Sequence, residues 1–344
     1  MRKQRGVALI VVLLLVALMS LLAVQMTERL QLNFHRVQNQ IEHQQGYWYS
    51  LGVEALAEQA IKQSLKDSET VNLTQAWAVG EQSYPLDDGA VISGNLTDKQ
   101  TCFNLNAFRN IKPKVNNGQK PFLVTYLQNI LTESGVDDYE AEVIADSSWE
   151  FVDKNTTVQS AYGVEDSSYE SFQPPYVSAN DWLADGSEFR AINGVSAKIY
   201  QQVKGLICAL PTDDMLLNVN TITEKQAVLL SALFSPSLSL DDAKKIIADR
   251  DKNHTVWDSV ADFMKLIPQP PTASPDSGTD KTATKMEQYL TVTSHYFSLD
   301  AEIKVDRARV RTVALFKRDD KNKVMVVRRQ YGGIRERISD DKAK

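Results

Sequence analysis

An apolar run of 18 residues near the amino end constrains this chain more than any other feature. Val7 to Val24 reads VALIVVLLLVALMSLLAV, interrupted only by Ser20. As a helix it spans about 27 Å, close to the depth of the hydrocarbon core of a bilayer. Arg2, Lys3 and Arg5 precede it, and no comparable cluster of Lys and Arg follows directly. The positive-inside rule therefore places residues 1–6 in the cytoplasm and everything after about residue 28 on the other side. No second run of this kind occurs in the 344 residues, so the remainder reads as one soluble ectodomain.

The helix is expected to continue beyond the membrane. Thr27 to about Ser64 contains no proline and only Gly46 and Gly52, among many good helix formers. Leu30, Phe34, Val37 and Ile41, then Tyr49, Val53, Leu56 and Ile61, recur at three- to five-residue steps. That pattern predicts a helix of more than 50 residues, half in the membrane and half packed on a domain. Strand patterns follow at 91–98 and 101–106, and again at 295–305, 309–317 and 323–330, with Asp319 to Asn322 as a hairpin turn. In the third block Tyr296, Leu299, Ala301, Ile303 and Val305 are assigned to one face. These strands are expected to form one antiparallel sheet against the long helix.

Between the strand groups helical patterns dominate, at 121–134, 137–152, 197–206, 224–234, 241–249 and 256–266. A segment rich in Pro, Ser, Thr and Asp, Pro268 to Thr284, reads as a return linker. The fold class is therefore α+β: a long amino-terminal helix on a small antiparallel sheet, interrupted by a large all-α insert. The expected division is a leader at 1–6, a membrane part at 7–28, an α+β domain at 29–111 and 285–331, a helical insert at 112–284, and a charged tail at 332–344. Trp149, Trp182 and Trp257 are read as core anchors of the insert.

The formal net charge of -6 averages over unlike parts. From Glu133 to Glu188 there are 14 acidic residues and one basic residue, Lys154, whereas from Glu302 onward 14 basic residues face 7 acidic ones. Four scattered histidines form no metal-chelating helix, and no nucleophile elbow, phosphate loop or paired acid–base motif is present. An enzyme is therefore not expected. Leu217 to Ala227 resembles the opening of a DNA-binding helix-hairpin-helix. It lacks the glycine-rich turn, and 25 acidic against 14 basic residues in the insert would repel phosphate, so nucleic acid is not an expected partner. Cys102 and Cys208 lie in the exported part, where an oxidising compartment permits a disulfide, with two free buried thiols as the alternative.

A short basic leader ending in Gly6, followed at once by an apolar helix from Val7, resembles the class III leader of type IV pilins and type II secretion pseudopilins. The resemblance implies cleavage by a prepilin peptidase between Gly6 and Val7, methylation of Val7, and retention of the helix. Most such proteins carry glutamate at the fifth mature position, where this chain has Val11. That departure and the large insert are similar to the secretion protein K family of minor pseudopilins. So are Phe103–Asn106, Glu150–Asp153, Gly163–Asp166, Pro174–Tyr176, Glu188–Val195 and Leu217–Thr221. The resemblance implies a pseudopilus-tip subunit on the periplasmic side of the inner membrane, with minor pseudopilins I, J and H as partners. Their contacts are expected on the helix between about Gln25 and Ser64. A minor pilin of a type IV pilus or DNA-uptake system is the alternative.

The resemblance also implies structural Ca²⁺ in the acidic insert. Asp153, Asn155 and Thr157 alternate like the first ligands of an EF-hand, but Val158 and Val164 stand where that loop needs Gly and Glu. The expected ligands are Asp153, Glu165 and Asp166, with Asn155 and Thr157 beside them; a solvated acidic face is the competing reading.

Overall fold

The computed structural model describes residues 7–111, 120–268 and 286–332. The leader with Gly6, most of the return linker and the tail beyond 332 lie outside the described residues.

Helix α1 runs unbroken from Val7 to Ser64, 58 residues or about 87 Å. Its most apolar 18-residue window has a mean hydropathy of 3.3 and none of it is buried. Beyond the membrane segment, the buried positions are Glu42, Gly46, Ser50, Val53, Glu54, Ala57 and Ile61, a stripe at three- to four-residue steps. Leu30, Phe34, Val37, Ile41 and Leu56 belong to the apolar periodicity seen in the sequence. All five are exposed, while Val53 and Ile61 do pack against the sheet. Small residues explain the difference, because they let the helix lie close to its sheet. A Cβ at Gly46 would stand 2.6 Å from Val310 Cγ2, so no larger residue fits at that crossing.

The sheet has five antiparallel strands in the order β1 (Gln82–Pro85), β2 (Val91–Asp98), β7 (Tyr296–Val305), β8 (Ala308–Arg318) and β9 (Val324–Tyr331). Its centre pairs β2 with β7, from Val91 opposite Lys304 to Asp98 opposite Phe297. Along β7, Phe297, Leu299, Ala301, Ile303 and Val305 join the core beneath α1. Tyr296 does not share their face. The two-residue period turns it to the other side, into a cluster with Leu210, Leu315 and the two cysteines. The β8–β9 turn falls where the sequence indicates, and Asn322 Nδ2 donates to the Lys62 carbonyl at 3.0 Å. That bond satisfies one of the orphan carbonyls at the end of α1.

The 101–106 segment is not part of this sheet. Only Phe103–Asn104 is extended (β3), pairing in parallel with β4 (Ile207–Cys208), and a 3₁₀ turn follows at Leu105–Asn110. A matching bridge joins β5 (Leu217–Asn218) to β6 (Leu290–Thr291). The insert is therefore helical with a short parallel bridge at its entry and another at its exit. Its helices are α2 (Phe122–Glu133), α3 (Asp138–Val152), α4 (Asp166–Tyr169), α5 (Ala197–Val203), α6 (Ala227–Leu233), α7 (Leu240–Asn253) and α8 (Val260–Met264). Phe103, Leu105 and Phe108 lie in its core, so packing draws the insert's first boundary near residue 101 rather than 112. Trp149 and Trp257 are buried there. Trp182 is not an anchor: it is 44% exposed and lies beneath the Arg109 guanidinium, 4.9 Å from its ring centre.

Two Asn-x-Asn pairs staple the junction. The Asn104 and Asn106 amides donate to the carbonyls of Thr212, Asp214, Leu183 and Leu210. Asn218 donates to the Val71 carbonyl and Ser294 Oγ, and Asn220 exchanges two bonds with the Trp257 backbone. In the segment resembling a DNA-binding hairpin, Asn218, Asn220 and Thr221 are thus turned inward, while Thr223, Glu224 and Lys225 are exposed. At the end of β2, buried Asp98 accepts bonds from Ser294 Oγ, Thr221 Oγ1, the Gln100 N–H and Asn218 Nδ2. Burial raises its pKa despite these donors.

Cys102 and Cys208 are joined as a disulfide across 106 positions. Closing so long a loop restricts the unfolded chain by about 4–5 kcal/mol in the chain-entropy view. The Cys102→Ser, Cys208→Ser double variant should therefore lose several kcal/mol in urea denaturation. A loss below about 1 kcal/mol would show that the bridge constrains little.

Candidate metal centre and assembly surface

Helix α3 presents its charge in an unusual order. Asp137 caps its start, accepting from the Tyr139 and Glu140 N–H groups, and acidic groups there suit the positive end of the helix dipole. Yet Asp146 and Glu150 lie in its carboxyl-terminal half, Asp153 follows at the cap, and the last turn has no basic residue. Three buried carboxylates at the negative end of a dipole oppose both electrostatics and solvation. Lys120 answers at one end, with Nζ 3.1 Å from Asp146 Oδ1 and 2.7 Å from Glu142 Oε1.

The other end gathers Glu150, Asp153 and Glu165, whose nearest oxygens all lie within 4.8 Å of one another. Each side chain is at least nine-tenths buried. Glu150 Oε1 accepts the N–H groups of Gln159 and Ser160 at 2.7 and 2.6 Å. Asp153 accepts from the Asn155 backbone and amide and from Gln159 Nε2. Ser178 Oγ donates to Glu165 Oε2 at 3.0 Å. Glu150 Oε2 and Glu165 Oε1 remain buried without a hydrogen-bond partner among the described residues. Burial raises Asp153 to about 6 and Glu165 to about 7; repulsion from Glu150 adds to both shifts, and Asp153 and Asp166 add further to that of Glu165. Gly163 brings the loop onto α3: a Cβ there would stand 2.6 Å from Glu150 Cγ.

Of the ligands expected from sequence, Asp153 and Glu165 meet. Asp166 turns instead to Ser178, accepting from its N–H and hydroxyl. Asn155 supports Asp153 and accepts the Thr157 N–H at 2.9 Å, and exposed Thr157 stays outside the cluster. Glu150 is the residue that sequence reasoning missed. Its signal was the three-residue step to Asp153, which puts both on one helix face. An all-carboxylate set with two orphan oxygens fits a hard cation such as Ca²⁺ and suits soft-ligand metals poorly.

The second candidate surface is the exposed side of α1. Leu30, Phe34, Val37, Ile41 and Trp48 are 56–71% exposed and follow steps of four, three, four and seven residues. At about 100° per residue they lie opposite the stripe packed on the sheet. The same spacing runs down through Met26, Ala23 and Met19 into the membrane segment.

Comparison with known proteins places this architecture. Two family models, both described as type II secretion system protein K, match residues 101–212 and 217–284. A relative from Aeromonas hydrophila named type II secretion system protein K is 36% identical, over 96% of this chain and 98% of its own length. The chain belongs to the type II secretion system protein K family. A Dickeya chrysanthemi protein K is 31% identical over 97% of this chain and 98% of the relative. A crystal structure of the GspK–GspI–GspJ complex from the enterotoxigenic Escherichia coli type 2 secretion system is also similar. It superposes with a TM-score of 0.75 at 35% identity, covering 87% of this chain and 100% of that one. Membership in the protein K family accounts for the order of long helix, sheet and large helical insert.

At the carboxylate cluster a bound cation would compete with protons. Lowering pH from 7.5 to 5.5 should weaken Ca²⁺ binding, by up to about tenfold per unit for each proton displaced. In chelator the sign is fixed by raised pKa values: stability should fall as pH rises from about 5 to 8, because only the unfolded chain has already released its protons. Calcium should remove that fall. Glu150→Gln should abolish the calcium-dependent thermal shift and Thr157→Ala should leave it; equal effects would disqualify the cluster.

Proposed function

We propose that this chain is a minor pseudopilin at the tip of the type II secretion pseudopilus. There it starts or caps assembly with minor pseudopilins I and J, above H, and supports protein export across the outer membrane. Its helix crosses the inner membrane once, with a cytoplasmic amino terminus and a periplasmic ectodomain. It is an assembly subunit, and its work is recognition rather than chemistry.

The observation that carries this reading is the double-sided spine. One face of α1 is held by its own sheet, while the opposite apolar stripe is open from the bilayer to Trp48. An exposed apolar surface of that length marks an interaction site. Similarity to a chain crystallised with GspI and GspJ supports helix-bearing subunits of that kind as its partners. Val11 supports the tip position, since this chain lacks the carboxylate by which most pseudopilins dock beneath a neighbour. Calcium held by Glu150, Asp153 and Glu165 would supply the positive charge that fastens the 153–165 loop to α3.

Two measurements test the reading. Mass spectrometry of the mature protein should find an N-methylated chain beginning at Val7; an intact Met1 or a cut near Ala23 would sink the pseudopilin assignment. A Val37→Lys, Ile41→Lys variant should keep its folding stability within about 0.5 kcal/mol, because both sites are exposed. It should nevertheless lose association with I and J. Retained association would remove the stripe from the assembly surface.

A further inference from the structure

The spine helix contains two glycines, and the fold explains only one. Gly46 is demanded by the close crossing with Val310. Gly52 is exposed, and a Cβ there would meet no atom within 4 Å. Glycine inside a helix is disfavoured relative to alanine by about fivefold in equilibrium. At Gly52 that handicap has no return inside the chain. Its surroundings are equally unusual: Trp48, one turn before, is 62% exposed, and Leu56, one turn after, is 68% exposed. Two large apolar side chains therefore flank a notch on the open side of the spine.

We propose that Gly52 is a docking notch that receives an apolar side chain from the spine helix of a neighbouring pseudopilin, gripped between Trp48 and Leu56. This rests on the reading of the open stripe as the assembly surface. The nature of the occupant follows from where that stripe goes. From Gly52 it descends through Ile41 and Leu30 to Met19, about 50 Å along the helix and into the bilayer. In hydrocarbon, a segment lying against this face must satisfy all its backbone groups internally, which an α-helix does. A partner that follows the stripe from lipid into water is therefore a helix with apolar residues at three- and four-residue steps. Absence of a side chain at Gly52 lets the two axes approach most closely there. The flanking tryptophan supplies a large rigid contact of the kind that dominates interface energetics.

The test uses the full-length protein in detergent, titrated with the minor pseudopilins I and J of its own secretion system. Gly52→Ala should raise the thermal midpoint of the free protein by about 2 °C, through helix propensity alone. The same variant should weaken association about tenfold, and Gly52→Leu about a hundredfold. The Val37→Lys, Ile41→Lys variant separates the two ideas. If it loses association while Gly52→Leu binds as tightly as the parent, the notch is wrong and the stripe stands. If neither loses association, both are wrong. A lower thermal midpoint for Gly52→Ala would reveal a role within the chain and overturn the notch.

Discussion

Helical phase is the constraint on which this molecule depends. Because α1 continues unbroken from Val7 to Ser64, the azimuth of every residue is set relative to every other. The face that packs on the sheet at Gly46, Val53 and Ile61 therefore determines which face remains open at Leu30, Ile41 and Trp48. Glu54 strengthens the packed side. Its buried carboxylate is forked by the Arg329 guanidinium from β9, a geometry with little rotational slack. A spine fixed in this way carries the orientation of the sheet domain directly into the apolar amino-terminal segment.

A second constraint is closure of the insert. The middle of the sheet pairs β2 with β7, so a long excursion of chain must return to the place it left. Three devices act at that point: the Cys102–Cys208 disulfide, the bridges β3–β4 and β5–β6, and the hydrogen bonds converging on Asp98. Each joins groups distant in sequence, and Asp98 and Asn218 both bind elements on the two sides of the junction. An insert held this firmly extends the small sheet domain as a positioned body.

The carboxylates of α3 show the opposite economy. Asp146, Glu150 and Asp153 are placed where the helix dipole and burial both disfavour negative charge. Lys120 compensates the first, and the others together with Glu165 form a carboxylate cluster that a hard cation would complement. The acidic composition of this segment is thus partly a solvated surface and partly a buried demand for positive charge.

The sequence by itself determined the membrane helix, its continuation as a spine, the β8–β9 hairpin and most helices of the insert. Those features rest on local periodicity, capping and turn chemistry, which neighbouring residues decide. It also marked Asp153 and Glu165, but not Glu150, because nothing in one strand of letters says which side of a helix a returning loop will cover. Tertiary structure alone decided which stripe of α1 meets the sheet, since both stripes have helical spacing and the small residues Gly46 and Ser50 prevail through close approach. It alone left Trp182 outside and drew Phe103 to Phe108 into the insert. These outcomes depend on contacts between residues well separated along the chain, whose energies no local pattern contains.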